Sequence, residues 1–289
     1  MGTSGSYGGP GGGTPLVPTW LEPSGGGPAP VAAPPGGGDN GTPSPPIPPN
    51  YPPIQSPPIP NRFATARSSF SHFAGSGGTD RRSLGRAVSH YVSSASGGAG
   101  RAAQRMGSSR GASGRLVGFL SDVVARGARE ALRALNLEEL AGRPVEDVFL
   151  GLIEYVCPEG GTVDEGIARD AFVETIADLA ENGIVDLDTL TADQMQTVFE
   201  VYASHAIEAR LCNDIGAKTI SFPRDVRTAE TVQAQLRDFI RRGVADALTS
   251  ARGAMNALTP DRVLAFVNGV YEQAFSILQA LGDAEAELP

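Results

Sequence analysis

The sequence predicts an all-α protein: a helical bundle domain preceded by a long disordered Pro/Gly-rich N-terminal tail. Three observations predict it. Downstream of residue 116, apolar residues recur at the spacing of one helix face, in runs bounded by capping sequences. No alternating apolar and polar run long enough for a strand stands among them. Upstream, residues 1–60 hold 18 of the 23 prolines and 14 of the 37 glycines. Proline removes a backbone donor and fixes φ, and glycine loses the most entropy on ordering. The few apolar residues there bury too little surface to offset those costs. Folding is therefore expected to begin after residue 60, in a region long enough to be stable without disulfide or metal staples.

Taken in order, residues 1–13 read as a flexible head, Met1-Gly2-Thr3-Ser4-Gly5-Ser6-Tyr7-Gly8-Gly9-Pro10 and three more glycines. Leu16, Val17, Trp20 and Leu21 then gather around the only tryptophan of the chain. Two readings are open: a chance apolar cluster, or an anchor that folds onto a partner's groove, where buried Trp and Leu carry much of a small interface's energy. Pro45-Pro46-Ile47, Pro52-Pro53-Ile54 and Pro57-Pro58-Ile59 form a loose repeat. It favours polyproline II, rising ~3.1 Å per residue, so residues 43–60 read as a spacer of about 50 Å. A ligand for an SH3-like or WW-like domain is the alternative.

Residues 61–115, rich in Arg, Ser, Gly and Ala, read as a partly ordered arm. Short helices such as Leu84 to Val92 are interrupted at Gly75 to Gly78 and at Gly97-Gly98. The acidic helical domain is placed at 116–289, opening with Leu116, Leu120, Val123, Leu132 and Leu135 near one face. Pro144 suits a first helical position, and Val145, Val148, Phe149, Leu152 and Val156 follow at helical spacing up to Pro158. Thr162 with Glu165, and Thr191 with Gln194, are capping boxes. The first opens a helix faced by Ala168, Phe172, Ile176 and Leu179. The second opens one faced by Met195, Val198, Phe199, Tyr202, Ala206 and Ala209. Residues 213–227 look irregular. A helix from about Ala229 carries Val232, Leu236, Phe239, Ile240, Ala247 and Leu248, and the last begins at Thr259-Pro260 with Val263, Val267, Val270, Ala274, Leu278 and Leu281 on one stripe.

Charge changes sign along the chain. Residues 61–133 carry twelve arginines against Asp80, Asp122 and Glu130, a net +9, whereas residues 134–289 carry −16. Arg81, Arg82, Arg86, Arg101, Arg105 and Arg110 are candidate phosphate contacts, because guanidinium groups bridge phosphates bidentately. Phe63, Phe70, Phe73 and Tyr91 are interleaved as the stacking residues of a single-strand binder are. The acidic body repels nucleic acid at close range, so docking of the arm on an acidic protein surface competes with that reading.

Catalytic constellations are sparse. Of the three histidines only His205 lies on a strong helix, with Glu208 and Cys212 on the same face. A zinc site needs a further ligand that the spacing does not supply, so neither metal nor cofactor is expected. Carboxylates are scattered over polar faces with no paired acid and base. Gly98-Ala99-Gly100 follows no strand, and Lys218, the only lysine, lacks the glycine-rich approach of a phosphate loop. The expectation is a protein that is not an enzyme. Two cysteines make no disulfide framework, no apolar stretch reaches membrane-spanning length, and no signal peptide is read, so the protein is expected in the cytoplasm.

Glycine after the initiator methionine is the context for methionine removal, which leaves Gly2 with a free amine of pKa near 8. Met1-Gly2 with Ser6 also fits the myristoylation pattern. Met1-Gly2-Thr3-Ser4, Ser6-Tyr7-Gly8-Gly9-Pro10 and Pro15-Leu16-Val17-Pro18 with Trp20-Leu21 resemble the QatB family of the four-protein Qat anti-phage defence system. The specific part covers about the first 21 residues, and the remainder is similar in layout. The resemblance implies a non-catalytic subunit with three kinds of partner. These are a QatA-like P-loop ATPase, a QatC-like relative of the deazaguanine synthase QueC, and a QatD-like, TatD-related nuclease. It further implies Gly2 as an acceptor of a deazaguanine group, with Thr3, Ser4, Tyr7, Leu16, Val17, Trp20 and Leu21 as partner-binding residues. The rival expectation is a nucleic-acid-binding adaptor that uses the Arg-rich arm.

Overall fold

The computed structural model describes residues 61–216, 225–255, 258–259 and 261–287. The tail expected over 1–60, and most of the irregular stretch expected over 213–227, lie outside the described residues. Among the described residues the fold is all-α, with no strand.

The first helix, α1 (Ala64–Gly75), buries Ala66, Phe70, Phe73 and Ala74 at helical spacing. It ends in a turn where Gly77 and Gly78 take φ of +69° and +84°, a region that L side chains avoid. Asp80 caps α2 (Arg81–His90), its carboxylate accepting the Ser83 N–H at 3.0 Å. A π-helical turn, Tyr91–Ala95, continues α2 and buries Tyr91 and Val92. Then come α3 (Ala99–Gln104), α4 (Gly107–Arg126) and α5 (Ala128–Ala134).

The run after Pro144 is divided into α6 (Val145–Gly151) and α7 (Ile153–Val156), and Pro144 itself is the N-cap. Val145, Val148, Phe149, Leu152 and Val156 are buried, as their spacing predicts. Both capping boxes form, Thr162 with Glu165 before α8 (Val163–Asp178) and Thr191 with Gln194 before α9 (Ala192–Ile215). Each box satisfies two backbone donors that the first helical turn leaves without partners. α10 (Val226–Met255) starts ahead of Ala229 because Asp225 accepts the Thr228 N–H at 3.0 Å. α11 (Val263–Ala286) starts later than Pro260, since the Arg262 N–H closes a turn onto the Thr259 carbonyl at 2.8 Å.

α9 is the central helix. It packs against α8, α10 and α4, and its buried residues run almost around its circumference, Phe199 and Tyr202 included. α11 packs against α2, α10, α3 and α4. Its crossing with α2 is a backbone contact: a Cβ on Gly85 would lie 2.6 Å from the Gly282 carbonyl oxygen, and one on Gly282 would lie 2.6 Å from that of Gly85. Beside it the Ser89 hydroxyl donates to Asp283 at 2.5 Å.

This contact corrects the expectation of a partly ordered arm over 61–115. The segment is helical apart from its glycine breaks and the turns at 61–63 and 105–106, and Phe70, Phe73, Leu84, Val88 and Tyr91 lie in the same core as α9 and α11. Small residues hid this packing in the sequence, because the helix face they make carries little hydrophobicity while allowing two backbones to meet. The boundary drawn between 115 and 116 falls inside α4. The described residues all belong to one packing unit.

Candidate functional site

Gly2, Thr3, Ser4, Tyr7, Leu16, Val17, Trp20 and Leu21 lie outside the described residues. The six candidate phosphate arginines are described, and four of them are turned onto the protein itself. Arg81 grips Glu285 with two bonds, at 2.6 and 3.2 Å. Arg82 donates to the Ala286 carbonyl at 3.0 Å, Arg110 to the Asn268 side chain at 2.6 Å, and Arg105 to Asp214 at 2.8 Å. Only Arg86 and Arg101 stay exposed without a hydrogen bond or ion pair among the described residues. The aromatic half of the single-strand reading is overturned for three residues: Phe70, Phe73 and Tyr91 are 2%, 0% and 1% exposed, so no base can stack on them.

Tyr91 and Arg105 belong to a half-buried charge network. The Asp214 carboxylate accepts from the Tyr91 hydroxyl at 3.0 Å, from Arg105 at 2.8 Å and from Arg210 at 3.2 Å, and Arg210 also pairs with Asp164. Burial, with the adjoining Asp214 charge, pushes the Tyr91 phenol well above its ordinary pKa, so it remains a neutral donor. Phe63 stacks on Tyr91 with centroids 5.7 Å apart, beneath the guanidinium groups of Arg62 and Arg105. The network ties the π-helical turn to the end of α9 and the start of α8, a structural role.

His205, Glu208 and Cys212 do line one side of α9, but each is committed separately. His205 Nε2 lies 2.9 Å from Asp178, and Glu208 accepts from Arg237 at 3.0 Å. Burial pushes the Cys212 thiol up to about 12, aided by the Glu208 charge. Cys157 is pushed up to about 11 by burial and donates to the Ala168 carbonyl. Neither thiol is a thiolate at neutral pH. Among the described residues no group of three His, Cys, Asp or Glu could hold a metal ion. No helix of the described residues is long and apolar enough to cross a membrane.

A groove on α4 was missed in the sequence. Its wider part, about 580 Å³, lies between the Gly114–Gly118 face of α4, Tyr155 of α7, Leu258 ahead of α11, and Val263 and Leu264 at the start of that helix. A narrower part, about 300 Å³, continues past Gly107, Ser108 and Cys157. Gly111 and Arg115 line both parts. A Cβ on Gly107 or Gly118 would meet nothing within 4 Å, so the floor is bare helix at those two positions, whereas one on Gly114 would run into Leu264 at 2.6 Å. Leu264 is 57% exposed on the rim, and Tyr155 36%. Arg115 donates through Nε to the Val156 carbonyl at 2.9 Å and has no carboxylate in ion-pair range among the described residues. Asp122, the carboxylate lining the wider part, is paired with Arg126. The sequence signal was present, since Gly107, Gly111, Gly114 and Gly118 recur at helical spacing, but such glycines read more readily as breaks.

These features define a class: an all-α protein with an acidic body, whose internal arginines clasp its own carboxylates and whose free surface offers an apolar groove. The particular family comes from comparison. A family model described as "QatB: Qat anti-phage system associated protein QatB" matches residues 97–278, and the chain belongs to that family. It is thus a component of the Qat anti-phage system. No curated protein and no solved structure matches the chain. The matched span runs from the glycine break before α3 into α11, so it rests on the bundle and not on the first 21 residues.

Proposed function

We propose that this QatB-family chain is a non-catalytic subunit that binds partner subunits of its system and presents the Gly2 head to one of them. The observation that carries the reading is the family match over the bundle, residues 97–278. The inward pairing of Arg81, Arg82, Arg105 and Arg110 supports protein partners over nucleic acid, because guanidinium groups held by the protein are less available to phosphate. The partners of this reading are the QatA-like ATPase, the QatC-like synthase and the QatD-like nuclease, and the setting is the cytoplasm.

In the chemistry proposed for the head, the QatC-like partner activates a deazaguanine carboxylate with ATP as an acyl adenylate, releasing pyrophosphate. With Met1 removed, the neutral Gly2 amine attacks the acyl carbon. AMP leaves, the amine proton passes to solvent, and an amide remains. An unhindered amine of pKa near 8 has a useful neutral fraction at pH 7. Intact-mass spectrometry of the chain co-expressed with its operon is the test. The expected result is the mass of one deazaguanine acyl group on Gly2, and an unmodified N-terminus under those conditions rejects the transfer. As a separate arm, Trp20→Ala is expected to abolish complex formation if residues 16–21 are an anchor.

A second reading, the nucleic-acid-binding adaptor, is kept by one observation: Arg86 and Arg101 are exposed and unpaired among the described residues. Its test requires the full chain, because α1 to α4 pack into the core. Salt-dependent DNA binding that falls with Arg86→Ala and Arg101→Ala would favour it.

A further inference from the structure

We propose that the groove along α4 is a docking site for a partner's polypeptide segment in which apolar side chains flank a carboxylate. The inference rests on the reading of the chain as a partner-binding subunit and adds the place and chemistry of one contact.

The two parts of the groove follow α4 for about four turns, roughly 20 Å, the length over which a short helix or strand can lie. Gly107 and Gly118 leave bare backbone that an incoming chain can approach closely, while between them the Arg115 guanidinium lies beside Gly111 and Leu264 lies over Gly114. Tyr155, Val263 and Leu264 give the wider part apolar walls, and the exposed share of Leu264 has no covering element among the described residues. A nucleic acid does not suit such walls.

Arg115 selects among polypeptides. It stands where the two parts join, and only its Nε is engaged, with the Val156 carbonyl. A segment that covers Arg115 without offering an anion leaves a desolvated cation unpaired, which is strongly unfavourable. A carboxylate there gains a charge-assisted hydrogen bond, frequently bidentate. A wholly apolar or basic segment is therefore rejected, and an apolar segment with one central acid is accepted. Glu165, the other carboxylate beside the narrow part, is already held by Thr162.

The test uses the full chain, with each purified Qat partner subunit titrated against it by calorimetry. Gly118→Leu places a side chain in the open groove where the backbone has room, so the fold is retained and the melting temperature is not lowered. The subunit bound by the unaltered chain is expected to lose at least tenfold in affinity to Gly118→Leu and to Arg115→Glu, with part retained by Arg115→Lys. If Gly118→Leu binds every subunit within twofold of the unaltered chain, the docking site is wrong while the partner-binding reading stands. If the unaltered chain binds none of the subunits, that reading fails and the docking site with it. A dimer in light scattering that Gly118→Leu dissociates would assign the groove to a second copy and overturn the proposal. Amide protection of α4 that falls when residues 1–60 are removed would assign the groove to an occupant from the same chain, with the same consequence.

Discussion

Asp214 shows what a single residue holds in place. With three donors on one nearly buried carboxylate, Asp214→Asn leaves Arg105 and Arg210 facing a neutral amide. Breaking a buried ion pair from one side typically costs about 3–5 kcal/mol. The expected outcome in urea unfolding is a loss of unfolding free energy of that order, read as a lower midpoint at an unchanged slope. Asp80, half-buried, acts more weakly, as the α2 cap. The Ser83 hydroxyl and N–H hold its carboxyl below the ordinary value of 3.8. The folded state thus binds this proton less tightly than the unfolded state, and the cap's stabilisation is present above pH 3.8 and lost as pH falls through the lower, folded value. Asp80→Ala is expected to cost about 1 kcal/mol at pH 7. Melting curves across pH should show its deficit shrink in acid. Thr162, Thr191 and their partners were legible in advance because a cap is decided within four residues. Arg81 with Glu285 was not, since the two lie 204 positions apart.

For whole helices, glycine's meaning depends on what faces it. At the α2–α11 crossing, Gly85→Ala drives a methyl group into backbone that cannot yield as a flexible side chain does. The expected cost is about 1–3 kcal/mol despite alanine's better helix propensity. On α4, a Cβ at Gly118 meets open space, so Gly118→Ala is expected to stabilise the chain by up to ~1 kcal/mol. Denaturant unfolding of the two variants side by side reads the opposite signs. The sequence shows four regularly spaced glycines on α4 and two at the crossing, but not which of them face a neighbouring backbone. Apolar stripes were more informative: the residues read on those of α8 and α10 are all buried, and so are those of α9 and α11 except Ala209 and Leu281, which are half-buried. The helices of 64–104 were undervalued because Ser, Gly and Ala occupy their contact faces.

At the scale of the molecule, a chain starting at residue 116 lacks α1 to α3 and the first half of α4. Phe70, Phe73, Leu84, Val88 and Tyr91 are then missing from the core they share with α9 and α11. Such a fragment is expected to show reduced far-UV ellipticity and no cooperative melt, whereas one starting at Pro57 keeps the packing unit whole and melts cooperatively. Local patterns predicted the helices but not their partners. α2 meets α11 from the opposite end of the sequence, and nothing within either helix announces the other.

That late meeting has a consequence during synthesis. The backbone surface that Gly85 offers has no mate until Gly282 has left the ribosome. At roughly 5–20 residues per second, the nascent chain waits about 10–40 seconds with α2 uncovered. Over that interval its apolar side is open to chaperones, or to aggregation with neighbouring chains, and only the emergence of α11 ends the exposure.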